Sequence, residues 1–302
     1  MKSDIRAWCA LVCIASALSP ARAADTPAPL LRPYVEESRI SAPKHSGSLL
    51  LTAAEHDVAR RMSGVVLRYR DGNAPETTIT FVIHPAGDEP EQKSLKAEFR
   101  ALQTRLAEGA ASAGHADYEV VDVSGVSVKL PPKRGNSTTI DLANGGTKSI
   151  TVTPSSQSDA LYPQKPLRGQ RMTTTYLAPG AGNDAPSRRS KYIYLFNRHM
   201  YFIRATVTNT GVLPNRELEK RSDDIIDSIV SKIGIENIGR CGSMSMYVND
   251  AATASIGHIL HAMEEMGWRS CVESTMAATL ATSNDINEVV TIRYEPEDWS
   301  VR

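Results

Sequence analysis

Between positions 188 and 204 the chain interleaves cations with aromatic rings: Arg188, Arg189, Lys191, Arg198 and Arg204 with Tyr192, Tyr194, Phe196, Tyr201 and Phe202. In an extended strand alternate side chains share a face, so Tyr192, Tyr194 and Phe196 stand together. Ring faces with cations beside them hold sugars, lipid head groups or acidic polymers. The same spacing also builds an ordinary apolar core. Arg188, Arg189, Lys191, Tyr192, Tyr194, Arg198 and Arg204 are therefore the candidate anion-binding or ligand-binding residues. Further bases stand at Lys133, Arg134, Arg168 and Arg171, near expected loop or strand ends. They form an anion site only if those ends converge on one edge.

A second constellation is His258 and His261, followed by Glu264 and Glu265. Two histidines three apart share one helix face and can reach a single metal ion, the chemistry of a metal-assisted hydrolase. The spacing is not His-Glu-x-x-His, no third ligand is located, and both lie off the apolar stripe of Ile256, Ile259, Leu260, Met263 and Met266. Other catalytic patterns are missing. No Gly-x-Ser-x-Gly elbow or phosphate-binding Gly-rich loop occurs, and Ser41 and Lys44 match Ser-x-x-Lys only across Pro43. Asp223–Asp224 and Glu264–Glu265 are adjacent pairs whose carboxylates diverge on a helix. The pattern reads as non-enzymatic and calls for no cofactor.

Lys2 and Arg6, an apolar stretch over 7–18 and the small-residue exit at Ala21 and Ala23 describe a secretory signal peptide over 1–23, cleaved near Ala23 and Ala24. The stretch is too short to span a bilayer, which takes about 20 residues. No later run approaches that length, so no transmembrane segment is expected in the mature chain. Cys9 and Cys13 leave with the leader. Cys241 and Cys271 then remain as an even pair, read as one disulfide in an oxidising space. Net charge is zero over 302 residues, yet residues 126–204 carry +9 while 24–125 carry −4 and 205–302 carry −7. The segments neutralise one another in the fold, or the basic middle makes a face for an anionic partner. An exported chain of balanced charge with no recognised module argues against nucleic acid.

Residues 24–48, with Pro27, Pro29, Pro33 and Pro43, read as a flexible Pro/Ala-rich leader. Thr52 and Glu55 have capping-box spacing, predicting a short helix that ends before Gly64. Residues 65–70 and 77–84 predict a hairpin, and Leu95, Phe99, Leu102 and Leu106 a helix over 92–109. One or two strands over 118–130, a hairpin about Asn144-Gly145-Gly146, a strand over 171–177 and a hairpin turning at 197–200 follow. A helix over 217–233 closes an α+β domain at 49–236, an antiparallel sheet with flanking helices. Residues 235–240 read as a linker, and 237–302 as a small βαββ domain with strands at 243–248, 268–274 and 288–294 around a helix at 251–266.

The strand from Gly64 to Arg70, the Phe81-Val82-Ile83-His84-Pro85 strand end and the 191–207 hairpin before a helix resemble exported bacterial proteins of unknown function. The element order over 64–233 is similar to the PsbP/Mog1-like α/β/α sandwich. That resemblance implies an accessory or binding role and no particular chemistry. The expectation is an exported, periplasmic binding or accessory protein that holds an anionic envelope component or partner protein. A hydrolase built on His258 and His261 and an immunity-type inhibitor of a secreted toxin are the alternatives.

Overall fold

In the computed structural model the described residues are 34–87, 91–113, 116–131, 137–141, 147–151, 166–178, 187–209, 215–240, 271–272 and 283–299. They form a mostly antiparallel α+β fold. The strands are β1 (Tyr34–Pro43), β2 (His45–Ser46), β3 (Leu49–His56), β4 (Val65–Asp71), β5 (Ala74–Pro85), β6 (Ala116–Val128), β7 (Ser137–Asp141) and β8 (Thr147–Thr151). They continue with β9 (Leu167–Ala178), β10 (Ser187–Arg198), β11 (Tyr201–Asn209), β12 (Gly234–Arg240), β13 (Cys271–Val272) and β14 (Asn287–Arg293). The helices are α1 (Glu91–Ser112) and α2 (Asn215–Val230).

An eight-stranded sheet runs in the order β2-β3-β4-β5-β11-β10-β9-β6, antiparallel throughout. A four-stranded sheet runs β13-β12-β1-β14, and β7 pairs with β8 alone. The central strand β10 is buried on both faces, which explains its unbroken run of apolar and aromatic residues from Tyr192 to Phe196. Ile193 and Leu195 pack with Leu95, Phe99 and Leu102 of α1. Tyr192, Tyr194 and Phe196 point the other way, into a core shared with Ile225, Ile226 and Ile229 of α2 and with Val35, Ile40, Ile235 and Ile292 of the smaller sheet. Each such side chain removed from water contributes about 1.5–3 kcal/mol, so the two faces of β10 anchor both layers.

A buried polar chain ties the two sheets. Tyr201 Oη donates to Ser38 Oγ at 2.6 Å, and Ser38 Oγ donates to Asn237 Oδ1 at 2.7 Å. That direction leaves Tyr294 as the donor to Tyr201, at 2.6 Å. Asn237 Nδ2 then donates to the His199 carbonyl at 3.0 Å. His199 and Met200 both have positive φ, 53° and 69°, as a two-residue type I′ hairpin requires. Without glycine there, the turn depends on its anchors, Asn237 on the His199 carbonyl and the Ala86 N–H on that of Met200 at 2.7 Å.

Several sequence expectations change. The leader expected over 24–48 is, from Tyr34 onward, strand β1, paired with β12 and β14. Val35, Ile40 and Ala42 are buried there, and Pro43 sits at the strand's end, where a missing N–H costs little. Thr52 caps no helix. It lies at a register irregularity in β3 and donates to the Arg68 carbonyl at 3.0 Å. The true cap is Asp57, whose carboxylate accepts from the Ala59 N–H at 2.9 Å and opens a short 3-10 segment, Val58–Ser63, ended by Gly64. The linker at 235–240 is strand β12, so the boundary expected at 236/237 falls inside a strand. The described strands of 237–302 join the sheet centred on β1, because that strand offers both edges for pairing. The helix expected at 251–266 and the strand at 243–248 lie outside the described residues. Among the described residues no helix is long and apolar enough to cross a membrane.

Candidate anion-binding pocket

Strand alternation splits the basic tract across the large sheet. Tyr192 and Tyr194 face α2 and are buried, so the aromatic ladder is core rather than a ligand platform; Tyr201 and Phe202 are buried as well. Arg188 has the parity of Tyr192, and its Nη1 donates to Thr175 Oγ1 at 3.3 Å. Arg198 sits at the far end of β10, where its Nη1 donates to the Ile233 carbonyl at 2.6 Å. Arg204 pairs in register with Leu195 and lies under α1; burial and Arg105 lower its pKa while Glu98 raises it. Arg189 and Lys191 share the α1 face and register with Tyr176 and Thr174 of β9. The predicted cluster is thus divided, with Arg189 and Lys191 left together.

Lys191 lines a pocket of about 210 Å³ closed by the last turns of α1, together with Arg105, Tyr118, Thr174 and Tyr176. Its Nζ stands 5.5 Å from the centroid of the Tyr176 ring, a cation–π contact. Burial pushes the ammonium below its ordinary pKa. No carboxylate lines the pocket among the described residues. Arg105 is paired with Glu98, whereas Lys191 makes no ion pair among the described residues. Arg189 Nε is buried without a hydrogen-bond partner. The Tyr118 and Thr174 hydroxyls are buried without a well-formed hydrogen bond. Burial raises the Tyr118 phenol, and its interaction with Thr174 acts the other way. The C-terminal end of α1 presents roughly half a negative charge, which supports one ammonium and leaves the pocket cationic. One half-buried ammonium without a carboxylate and two buried hydroxyls line this pocket, and Arg189 stands beside it on the same sheet face through its register with Tyr176, a chemistry that receives an anion.

A larger open cleft of about 530 Å³ lies between α2 and the β2–β3 and β4–β5 turns, and its buried carboxylate is paired. Arg221 holds Asp71 through Nη2 at 2.6 Å, and Lys232 Nζ donates to Ser46 Oγ at 2.7 Å. Ser46 Oγ in turn donates to the Ser228 carbonyl at 3.2 Å. Those contacts lash α2 to the sheet.

Arg171, one of the scattered bases, is enclosed by Asp122, Glu219 and Asp223 and is not a free cation; Arg168 is exposed on β9. Lys133, Arg134, His258, His261 and Cys241 lie outside the described residues. Cys271 opens β13 and registers with Asn237 in a parallel pair. Among the described residues no group of three His, Cys, Asp or Glu is placed to hold a metal ion. Sequence reasoning missed Tyr118, Thr174, Tyr176 and Arg105. The threonine run 173–175 signals a strand, but nothing local shows that it lies beside Lys191. No protein-family model matches this chain, and no curated protein matches it.

Proposed function

We propose that this chain is an exported, non-enzymatic binding protein of the periplasm or cell exterior, holding an anionic group of an envelope component or partner protein in the Lys191 pocket. The charged, apolar and small-residue order of positions 1–23 supports the address. The observation that carries the binding role is Lys191 itself, desolvated, set against Tyr176, and facing a lining without carboxylates. Keeping a half-buried cation unpaired costs stability, and an anion that enters repays it. The volume, about 210 Å³, is below the roughly 300–1,000 Å³ of drug-sized sites. It suits the anionic end of a larger molecule. The resemblance to accessory proteins of the PsbP/Mog1-like type accords with this reading.

The test is calorimetric titration with inorganic phosphate and with vesicles containing phosphatidylglycerol, at low and physiological salt. Lys191→Met should lose binding and Arg189→Glu, beside the pocket on the same face, should weaken it, while Arg188→Glu, on the opposite face, should retain it. Equal loss in Arg188→Glu and Arg189→Glu would show diffuse surface charge and end the pocket reading. So would full binding by Lys191→Met.

A further inference from the structure

We infer that β6 is a docking edge for an extended segment of a partner protein whose residues alternate between basic and apolar. Among the described residues β6 has β9 as its one hydrogen-bonded neighbour, and none of them pairs with the other side of its backbone. Such an edge accepts an added strand, with main-chain bonds giving affinity and alternate side chains giving specificity. The opposite edge of the sheet, β2, has two residues, whereas β6 has 13. Short edges protect a sheet, and β6 lacks that protection. Its ladder with β9 is unbroken from Asp122 to Val128, after irregularities near its start.

The two faces of this edge ask for different side chains. Val120 registers with Thr174 and Val123 with Met172, which places both on the α1 face. They stay 38% and 46% exposed, and Val121 between them 56%. Glu119 registers with Thr175 and Asp122 with Thr173, on the α2 face. There Arg171 meets Asp122 at 3.3 Å, Glu219 at 2.9 Å and Asp223 at 3.1 Å. One guanidinium against three carboxylates leaves a local charge of −2; Glu119 stands further along this face, where Arg188 at Thr175 offsets it. An incoming strand with lysine or arginine at every second position lays its cations on this face and its intervening apolar side chains on Val120 and Val123. A second copy pairing β6 antiparallel to β6 sets acidic edge against acidic edge, so like charge opposes self-association.

The test uses the full chain and a short synthetic peptide alternating lysine and valine, titrated by fluorescence anisotropy at low salt. A matched peptide N-methylated at alternate residues keeps the charge and removes the N–H groups that pair with the edge. A third peptide carries the same residues in blocks. The alternating peptide should bind, and the N-methylated and block peptides should bind at least about tenfold more weakly. Glu119→Lys and Val123→Lys, both at exposed positions, should each weaken the alternating peptide while leaving the circular dichroism spectrum intact. Equal affinity for all three peptides would reduce the effect to charge attraction and overturn strand addition, as would no binding of the alternating peptide or undiminished binding by both variants.

Discussion

Replacing Asp71 with asparagine isolates one buried charge pair between the large sheet and α2. The Asp71 side chain is 3% exposed, and its two oxygens have separate duties. Oδ1 accepts from Ser48 Oγ at 2.8 Å and from the Asn73 N–H at 2.9 Å, closing the turn into β5. Oδ2 accepts from Arg221 Nε at 2.9 Å and Nη2 at 2.6 Å. Asparagine can reproduce the first pair with its carbonyl, but its amide NH₂ then faces the donors of the guanidinium. Removing one partner of a buried pair costs about 3–5 kcal/mol. The Arg221 side chain is 29% exposed, so water recovers part of its solvation. The expected loss is about 2–3 kcal/mol, or a fall in Tm of roughly 4–10 °C for a chain of this size.

Acidity supplies an independent check. Burial raises the Asp71 carboxyl, but hydrogen bonds from Arg221, Asn73 and Ser48 outweigh it and hold the folded-state pKa below the ordinary 3.8. The unfolded chain therefore takes up this proton first as pH falls. The contribution is complete above the ordinary carboxylate pKa and is lost as pH falls through the lower folded-state value. Urea titrations at neutral pH and at a series of acid pH values should show the gap between parent and Asp71→Asn closing over that range. Adding Arg221→Met to the variant should recover part of the neutral-pH loss, because the stranded cation is gone. A variant within about 0.5 kcal/mol of the parent at neutral pH, the ordinary range for surface substitutions, would refute the pair's role. A gap that ignores pH would refute the sign.

Tyr201→Phe removes the donor to Ser38 and the acceptor for Tyr294, and should cost about 1–3 kcal/mol by urea unfolding; Tyr294→Phe should add little to it in a double-mutant cycle. Gly169→Ala places a Cβ 2.4 Å from the Phe196 ring and 2.7 Å from the Leu195 carbonyl oxygen, and overpacking of that kind should cost about 1–3 kcal/mol, measured by thermal melts. Lys191→Met should raise Tm at neutral pH while abolishing anion binding. Burial lowers the lysine pKa in the folded state, so the parent gains stability as pH rises from that lowered value towards the ordinary 10.5, and the variant's advantage should fade over the same interval.

Much of the α+β element order is legible in local pattern. Leu95, Phe99 and Leu102 carry helical spacing and are the residues by which α1 meets the sheet. Leu218, Ile225, Ile226 and Ile229 do the same for α2. The hairpin about 197–200 is where the structure turns, because alternation on both sides fixes its register. Where two local signals compete, pairing decides. Thr52 and Glu55 match a cap by letters, yet Leu49–His56 is held as a strand by pairing with β4 on both sides of Thr52. Tyr34–Pro43 looks like a linker until β12 and β14 close on either side of it, from positions roughly 200 and 250 residues away.

The candidate site divides in the same way. Sequence by itself determined that Tyr192, Tyr194 and Phe196 share one strand face, since alternate side chains of an extended chain point the same way. Only the tertiary structure decided which face became core, which cations found carboxylates, and that Tyr118, Thr174, Tyr176 and Arg105 surround Lys191. Those neighbours come from β6, β9 and α1, and strand register between distant segments is set by packing the whole sheet.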